Sequence, residues 1–312
     1  MDSDRDGLSD GFEAALLQRF SPAFRVSHAD CSVRPASFLP GIAVPTVAED
    51  DGTIYGQAFP RTSGEIELHF YHLWRTDCGR LGHPLDTEHV AALLRGSGTD
   101  AAGWKAVYWY AAAHEDTVCD AGQVTRASTL DAEERGAAVW ISAGKHASYL
   151  NENLCRHGCG GDRCEHMEPL KSPRVINLGE APMPMNGSVW ISSTNWPLLE
   201  KMTRSDFRPA LLDRLGKLPE TDIAWAEPSK RPAQAAILGG NRGVDGAVTG
   251  ATVGGSAAGH GIAVGGRGTD TAISVAGHST GHALSRSIRA VGHALGTSAE
   301  KTGEAIGVKA KK

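Results

Sequence analysis

The sequence predicts a mainly β fold, and three stretches carry that prediction. Glu65 to Trp74 alternates, with Ile66, Leu68, Phe70 and Trp74 on one face and Glu65, Glu67, His69 and Tyr71 on the other, which is the period of a strand. Trp104 to Ala113 is apolar on both faces and so reads as a central strand covered on each side. Ala137 to Ser142 is a further short apolar run of strand length. The chain divides into a calcium loop and helix over 1–24, a β domain over 25–228 and a glycine-rich tail over 229–312.

Asp2 to Glu13 matches the calcium loop D-x-D-x-D-G-x5-E. Asp2, Asp4, Asp6, Asp10 and Glu13 supply carboxylates at loop positions 1, 3, 5, 9 and 12, Leu8 offers its carbonyl at position 7, and Gly7 makes the sharp turn at 6. Side chains packed so closely repel one another unless Ca2+ sits among them. An acidic start alone would suit the helix dipole, but it would not call for the glycine or the odd-position spacing. With no second loop in the chain, the pattern resembles the single loops of dockerin-like and thrombospondin-type repeats, which implies a structural role for the ion. The helix expected from about Asp10 to Phe20 places Phe12, Leu16 and Phe20 on one stripe with Ala15 beside them, and Pro22 ends it.

Prolines at 35, 40, 45 and 60 point to an irregular wrap with a short strand near Thr53 to Tyr55. After the alternating strand comes a loop crowded with metal-type ligands. Asp77, His83, Asp86 and Glu88 fall within twelve residues, separated by Gly79, Gly82 and Pro84, which favour turns. Carboxylate oxygens suit calcium, magnesium or manganese, and an imidazole extends the choice to zinc or iron, so the cation's identity stays open. On the strand from Glu88 to Leu94, Asp86 and Glu88 share a face and His89 lies opposite. The central strand delivers His114 at its end, and the apolar run from Ala137 delivers His146, so several strand ends bring histidines toward one rim. Arg174 to Leu178 and Gly187 to Ile191 read as closing strands, and Asp206 to Leu218 as a short helix.

Gly82-His83-Pro84-Leu85-Asp86-Thr87-Glu88-His89 resembles the G-H-R-H-D-W-E heptapeptide of the necrosis- and ethylene-inducing-peptide-like proteins and the D-W-E-H segment of a family described as vacuolar-sorting-associated. Gly144-Lys145-His146-Ala147-Ser148-Tyr149 is similar to the G-S-H-A-S-Y segment of the second family. The resemblance spans roughly residues 50 to 200. It implies a β-sandwich, with His83, Asp86 and Glu88 holding a divalent cation, Asp77 as an extra acid, and His114 and His146 as wall residues. A cell-surface ligand or membrane glycolipid is the partner it implies. Pro84 and Leu85 stand where the motif has Arg and His, and Thr87 where it has Trp.

The 312 residues carry 41% apolar side chains and a net charge of −5, with no basic patch, so nucleic acid is not an expected partner. Cys31, Cys78, Cys119, Cys155, Cys159 and Cys164 form an even set, which fits disulfides, at least one within the late cluster, and an extracellular or periplasmic location. A zinc knuckle using Cys155, Cys159 and Cys164 with His157 and His166 is the alternative, although its spacing lacks the usual C-x2-C pair. The sequence opens with no signal-peptide pattern and contains no run apolar enough for a transmembrane span. Residues 233–312 hold 18 of the 38 glycines and no aromatic residue, which argues for a flexible segment with a nascent amphipathic helix near Leu284 to Leu295.

A secreted, divalent-cation-binding β-sandwich module that engages a cell-surface ligand is the leading expectation. The alternative is a metal-dependent hydrolase in which His114 or His146 acts as general base toward a cation-bound water. A membrane-active toxin using the tail is a third.

Overall fold

The computed structural model describes residues 1–39, 45–62, 64–79, 82–159, 161–178 and 205–230, all within a unit spanning Met1–Asn241. In chain order the elements are α1 (Asp10–Arg19), β1 (Ala23–Ser27), β2 (Ser37–Phe38), β3 (Val47–Glu49), β4 (Thr53–Pro60), β5 (Glu65–Thr76), β6 (Pro84–Gly96), β7 (Trp104–Ala111) and β8 (Gln123–Arg126). They continue with β9 (Ala138–Ile141), β10 (Ser148–Tyr149), α2 (Glu152–Arg156), β11 (Met167–Pro169), β12 (Arg174–Leu178), α3 (Pro209–Gly216) and β13 (Ile223–Trp225). The expected strand at Gly187 to Ile191, the glycine-rich tail and its amphipathic helix lie outside the described residues.

Two sheets pack face to face. A seven-stranded sheet runs β12-β4-β5-β6-β7-β8-β13, and a four-stranded sheet runs β10-β9-β1-β11. The long β5–β6 hairpin sets the register, with Phe70 opposite Val90, His72 opposite Glu88 and Trp74 opposite Asp86. Side chains alternate across a strand, so Ile66, Leu68, Phe70 and Trp74 all enter the core between the sheets. There they meet Phe24, Val26, Val139 and Ile141 from the smaller sheet. The apolar period read from the sequence is therefore the inner face of a β-sandwich.

The outer face of the large sheet is covered too. Ala91, Leu93, Tyr108, Tyr110 and Val124 pack against Phe207 and Leu215 of the 205–230 segment. This explains why β7 is apolar on both faces, since it lies inside the sheet with a layer on each side. The helix expected over Asp206 to Leu218 forms as the shorter α3, which starts at Pro209 because proline suits the first helical turn.

Ser9 caps α1, and Phe12, Leu16, Leu17 and Phe20 are buried in the main core, each contributing about 2 kcal/mol by removing apolar surface from water. Ala15, expected on that stripe, faces solvent, and Leu17 and Glu13 are buried instead. The buried arc is wider than an i, i+4 stripe because α1 packs against both β4 and β12.

All six cysteines pair, as Cys31–Cys78, Cys119–Cys159 and Cys155–Cys164. One bridge lies inside the late cluster, as expected. The pairing removes the zinc-knuckle alternative, because a sulfur in a disulfide offers no thiolate to a metal.

Candidate functional site

One end of the sandwich is assembled from three loops: the turn after β1, the β5–β6 connection and the turn after β9. The β5–β6 connection is closed by the Asp77 amide donating to the His83 carbonyl at 2.8 Å. Cys78 and Gly79 both donate their amides to the Gly144 carbonyl, at 2.8 and 3.0 Å. The Cys31–Cys78 disulfide ties in the first turn.

At the centre of this end lies His146, which is fully buried. Its Nδ1 donates to Asp86 Oδ2 at 2.9 Å, and its Nε2 stands 3.4 Å from Asp30 Oδ1 in an ion-pair contact. Its ring stacks on Trp74 with centroids 4.2 Å apart and planes within 7°. Burial alone pushes the pKa of His146 down, but the two carboxylates outweigh it and carry the value up to about 9. The same partnership holds Asp30 below its ordinary value, with burial opposing. His146 is therefore an imidazolium clamping one carboxylate from each sheet region.

A buried imidazolium with a carboxylate on each nitrogen has no lone pair to take a proton at neutral pH. This geometry does not favour His146 as the general base of a hydrolase.

Around this centre lie the other residues expected at the rim. Asp77 Oδ2 stands 3.9 Å from His83 Nε2 and 3.8 Å from Lys145 Nζ, and its Oδ1 accepts the Gly79 amide at 2.6 Å. Glu88 is buried on the inner face opposite His72. His72 takes the Trp74 indole N–H on Nδ1, so its proton is on Nε2, facing Ser148 Oγ at 2.9 Å. His114 Nε2 meets both oxygens of Asp162, at 3.1 and 2.9 Å, and Tyr149 donates its hydroxyl to the same carboxylate. Burial depresses the His114 pKa, yet Asp162 outweighs it and the net shift is upward.

Three residues of this end, Leu85, His114 and His146, hold left-handed backbone conformations with φ of 60°, 55° and 55°. Side chains other than glycine rarely adopt that region, and such positions cluster where a chain presents functional groups.

The structure thus brings together Asp86 with His146, and Asp77 with His83 and Lys145. Among the described residues, no three of Asp77, His83, Asp86 and Glu88 bring ligand atoms within 4.8 Å of one another. The donor chemistry suits a hard divalent cation, while the positive charge facing these acids comes from His146 and Lys145. Asp30 and Asp162 were not expected from sequence, and Tyr149 stood there only as the last residue of the Gly144–Tyr149 motif. The one available signal was adjacency to cysteines, since Asp30 precedes Cys31 and Asp162 lies between Cys159 and Cys164.

At the N-terminus, Asp2, Asp4 and Asp6 place carboxylate oxygens within 4.8 Å of one another. Asp2 accepts the amides of Arg5 and Gly7, and Asp6 Oδ1 accepts that of Leu8 at 2.7 Å. Gly7 has φ of 101°, which fits the turn position. Asp6 Oδ2 and Glu13 Oε1 are buried without a hydrogen bond, while Asn177 donates to Glu13 Oε2 at 3.3 Å. Burial is the main cause that raises Asp6 to about 6 and Glu13 to about 8, with the neighbouring acids adding to it. Asp10 differs, because both of its oxygens are taken by Ser3. Asp10 is thus not among the carboxylates that lie close together.

No protein-family profile and no curated protein matches the chain. Among solved structures it is similar to one described as a toxin fold for microbial attack and plant defense, at 15% identity and a TM-score of 0.36, covering 57% of this chain and 81% of that one. It is also similar to NLPPya in complex with glucosamine, at 15% identity and a TM-score of 0.34, over 56% of this chain and 80% of that one. A third is Necrosis and Ethylene inducing Protein 2 from the causal agent of cocoa's Witches Broom disease, at 13% identity and a TM-score of 0.35, over 57% and 79% of the respective chains. These structural neighbours are necrosis- and ethylene-inducing toxin-fold proteins, and at such scores the likeness assigns neither ligand nor activity to this chain.

Proposed function

We propose that this chain is a secreted β-sandwich binding module. Its three-loop end engages a polar cell-surface ligand of the glycolipid-headgroup type through a divalent cation, and its N-terminal loop is held by Ca2+. The observation that carries the reading is the pair of buried carboxylates, Asp86 and Glu88, projecting from the inner face of β6 at the open end of the sandwich. Asp86 is held there by His146, and both acids stand at the strand end beside the loop that carries Asp77 and His83, where carboxylate oxygens are the ligands a hard divalent cation takes. A cation at the rim draws Asp77 and His83, already neighbours across their loop, toward Asp86 and Glu88. The disulfides support an oxidising compartment, and among the described residues no helix is long and apolar enough to cross a membrane.

Two measurements test the proposal. Calorimetry of chelator-treated protein should detect a divalent cation at the rim, and Glu88→Gln should weaken that binding by about 10-fold or more; wild-type protein with no rim binding would sink the ligand reading. Separately, calcium at a hundred times its Kd should stabilise the fold by about 2.7 kcal/mol. For a domain of this size that raises the unfolding midpoint by about 5–10 °C, and Glu13→Gln should abolish most of the shift. A midpoint indifferent to calcium would exclude the N-terminal loop as a site.

A further inference from the structure

On the outer face of the large sheet, away from the rim, a second set of side chains converges under the 205–230 segment. His69 on β5 and His89 on β6 stack on each other, with ring planes 14° apart. His69 Nδ1 is 3.0 Å from His89 Nε2, and Asp206 Oδ2 stands 3.6 Å from the first nitrogen and 3.2 Å from the second. Both histidines are 0% exposed and Asp206 is 8% exposed.

With both histidines neutral, protons alone do not satisfy this triangle. Glu67 Oε2 faces His69 Nε2 at 3.0 Å and takes the proton there, so a neutral His69 presents a lone pair from Nδ1. A proton on His89 Nε2 can then be directed to His69 or to Asp206, but not well to both. Asp206 Oδ2 is in fact buried with no hydrogen bond. Three ligand-type atoms within 4.8 Å of one another, one of them a buried carboxylate oxygen without a hydrogen bond, are what a cation resolves.

The spacing is also right. Zinc bound tetrahedrally at about 2.0–2.1 Å keeps its ligand atoms about 3.3 Å apart, and the three separations bracket that value. Of the two outer nitrogens, that of His69 is supported as metal-bound histidines generally are, while His89 Nδ1 is buried without a hydrogen bond. Glu67 holds His69, and is itself held by Arg61 and by Ser205 Oγ at 3.0 Å, while Glu115 Oε1 lies 3.9 Å from His89 Nδ1. Asp206 also lines a cavity of about 420 Å³, together with Tyr110, Glu115, Arg208 and Lys230. A coordination position left open by three protein ligands would face that space.

We propose that His69, His89 and Asp206 form a binding site for a borderline divalent transition ion, zinc being the best match, with an exchangeable fourth position toward the cavity. Two imidazoles and one carboxylate select against calcium and magnesium, which prefer oxygen. The site is independent of the rim and of the N-terminal loop.

The test uses the full chain, stripped with chelator and then saturated with calcium to fill the oxygen-rich positions. Titration with Zn2+ should give one equivalent bound, and Co2+ in its place should give visible absorption bands of a low-coordinate nitrogen–oxygen site. Asp206→Asn and His89→Gln should each weaken zinc by about 100-fold or more, and Glu67→Gln by about 10–100-fold. Glu88→Gln should leave zinc unchanged. Should the buried variants misfold, nitrogen NMR of wild-type histidine rings gives the answer alone, because zinc must shift Nδ1 of His69 and Nε2 of His89. No zinc bound by folded wild type overturns the proposal. So does zinc that survives in Asp206→Asn but is lost in Glu88→Gln, which would place the ion at the rim instead.

Discussion

Replacing His146 with alanine should destabilise the protein by about 3–5 kcal/mol, because it leaves Asp30 and Asp86 buried without their shared counter-charge. The loss is larger than the ring's packing on Trp74 explains, and pH separates the two contributions. The folded pKa of His146 is raised to about 9 from an ordinary 6.5. A group of this sign contributes its full stabilisation below about pH 6.5 and loses it as pH rises through about 9, a total of about 3 kcal/mol for a shift of this size. Wild-type stability, measured by urea unfolding, should therefore decline across that alkaline window, and His146→Ala should be flat there. Combining His146→Leu with Asp30→Asn and Asp86→Asn should recover much of the loss, since an uncharged trio need not be desolvated as ions. A wild-type profile flat from pH 6.5 to 9 would show that His146 is neutral and that the clamp is ordinary hydrogen bonding.

The sequence shows in advance whatever is local in this protein. Alternation between Glu65 and Trp74 depends only on neighbours two residues apart, and it placed the inner face correctly. The double-sided apolar run at Trp104 likewise anticipated a covered central strand, and α1 was found from its stripe and terminating proline. The parallel pairing of β1 with β9 was not visible, because Ala23 to Ser27 is too short to show a period and its partner lies far along the chain. Distance in sequence also hides the site's partners. His146 could be singled out from its motif, but that its neighbours are Asp30 and Asp86, rather than a cation alone, follows from three loops meeting at one end. His89 was placed opposite Glu88 by alternation, yet nothing local connects it to Asp206, which arrives only when the 205–230 segment covers the outer face.

The second large effect concerns what holds those three loops together. Cys31 and Cys78 are separated by 47 residues, so the bridge removes from the unfolded chain a closure entropy worth about 4 kcal/mol at 25 °C. Cys155 and Cys164, separated by 9 residues, should contribute about 2.6 kcal/mol by the same relation. The double variant Cys31→Ser with Cys78→Ser should therefore be the more damaging of the two, by a little over 1 kcal/mol in chemical unfolding. Its position adds a consequence that loop entropy does not contain. Asp30 precedes one cysteine and Asp77 the other, and the Cys78 and Gly79 amides are the ones docked on Gly144. Without the bridge, the turn carrying Asp30 loses its covalent tie to the β5–β6 connection and is held only by its contacts to Gly144 and His146, so one of the two carboxylates that raise the histidine's pKa is held less firmly. The alkaline decline in stability should then move to lower pH, and the imidazole resonance of His146 should titrate closer to its ordinary value. The Cys155→Ser with Cys164→Ser variant, whose bridge joins no loop of the clamp, should keep the wild-type titration. A reduced Cys31–Cys78 pair that left the His146 titration in place would show that Gly144 docking alone positions Asp30, making the disulfide a brace for the fold and not for the site.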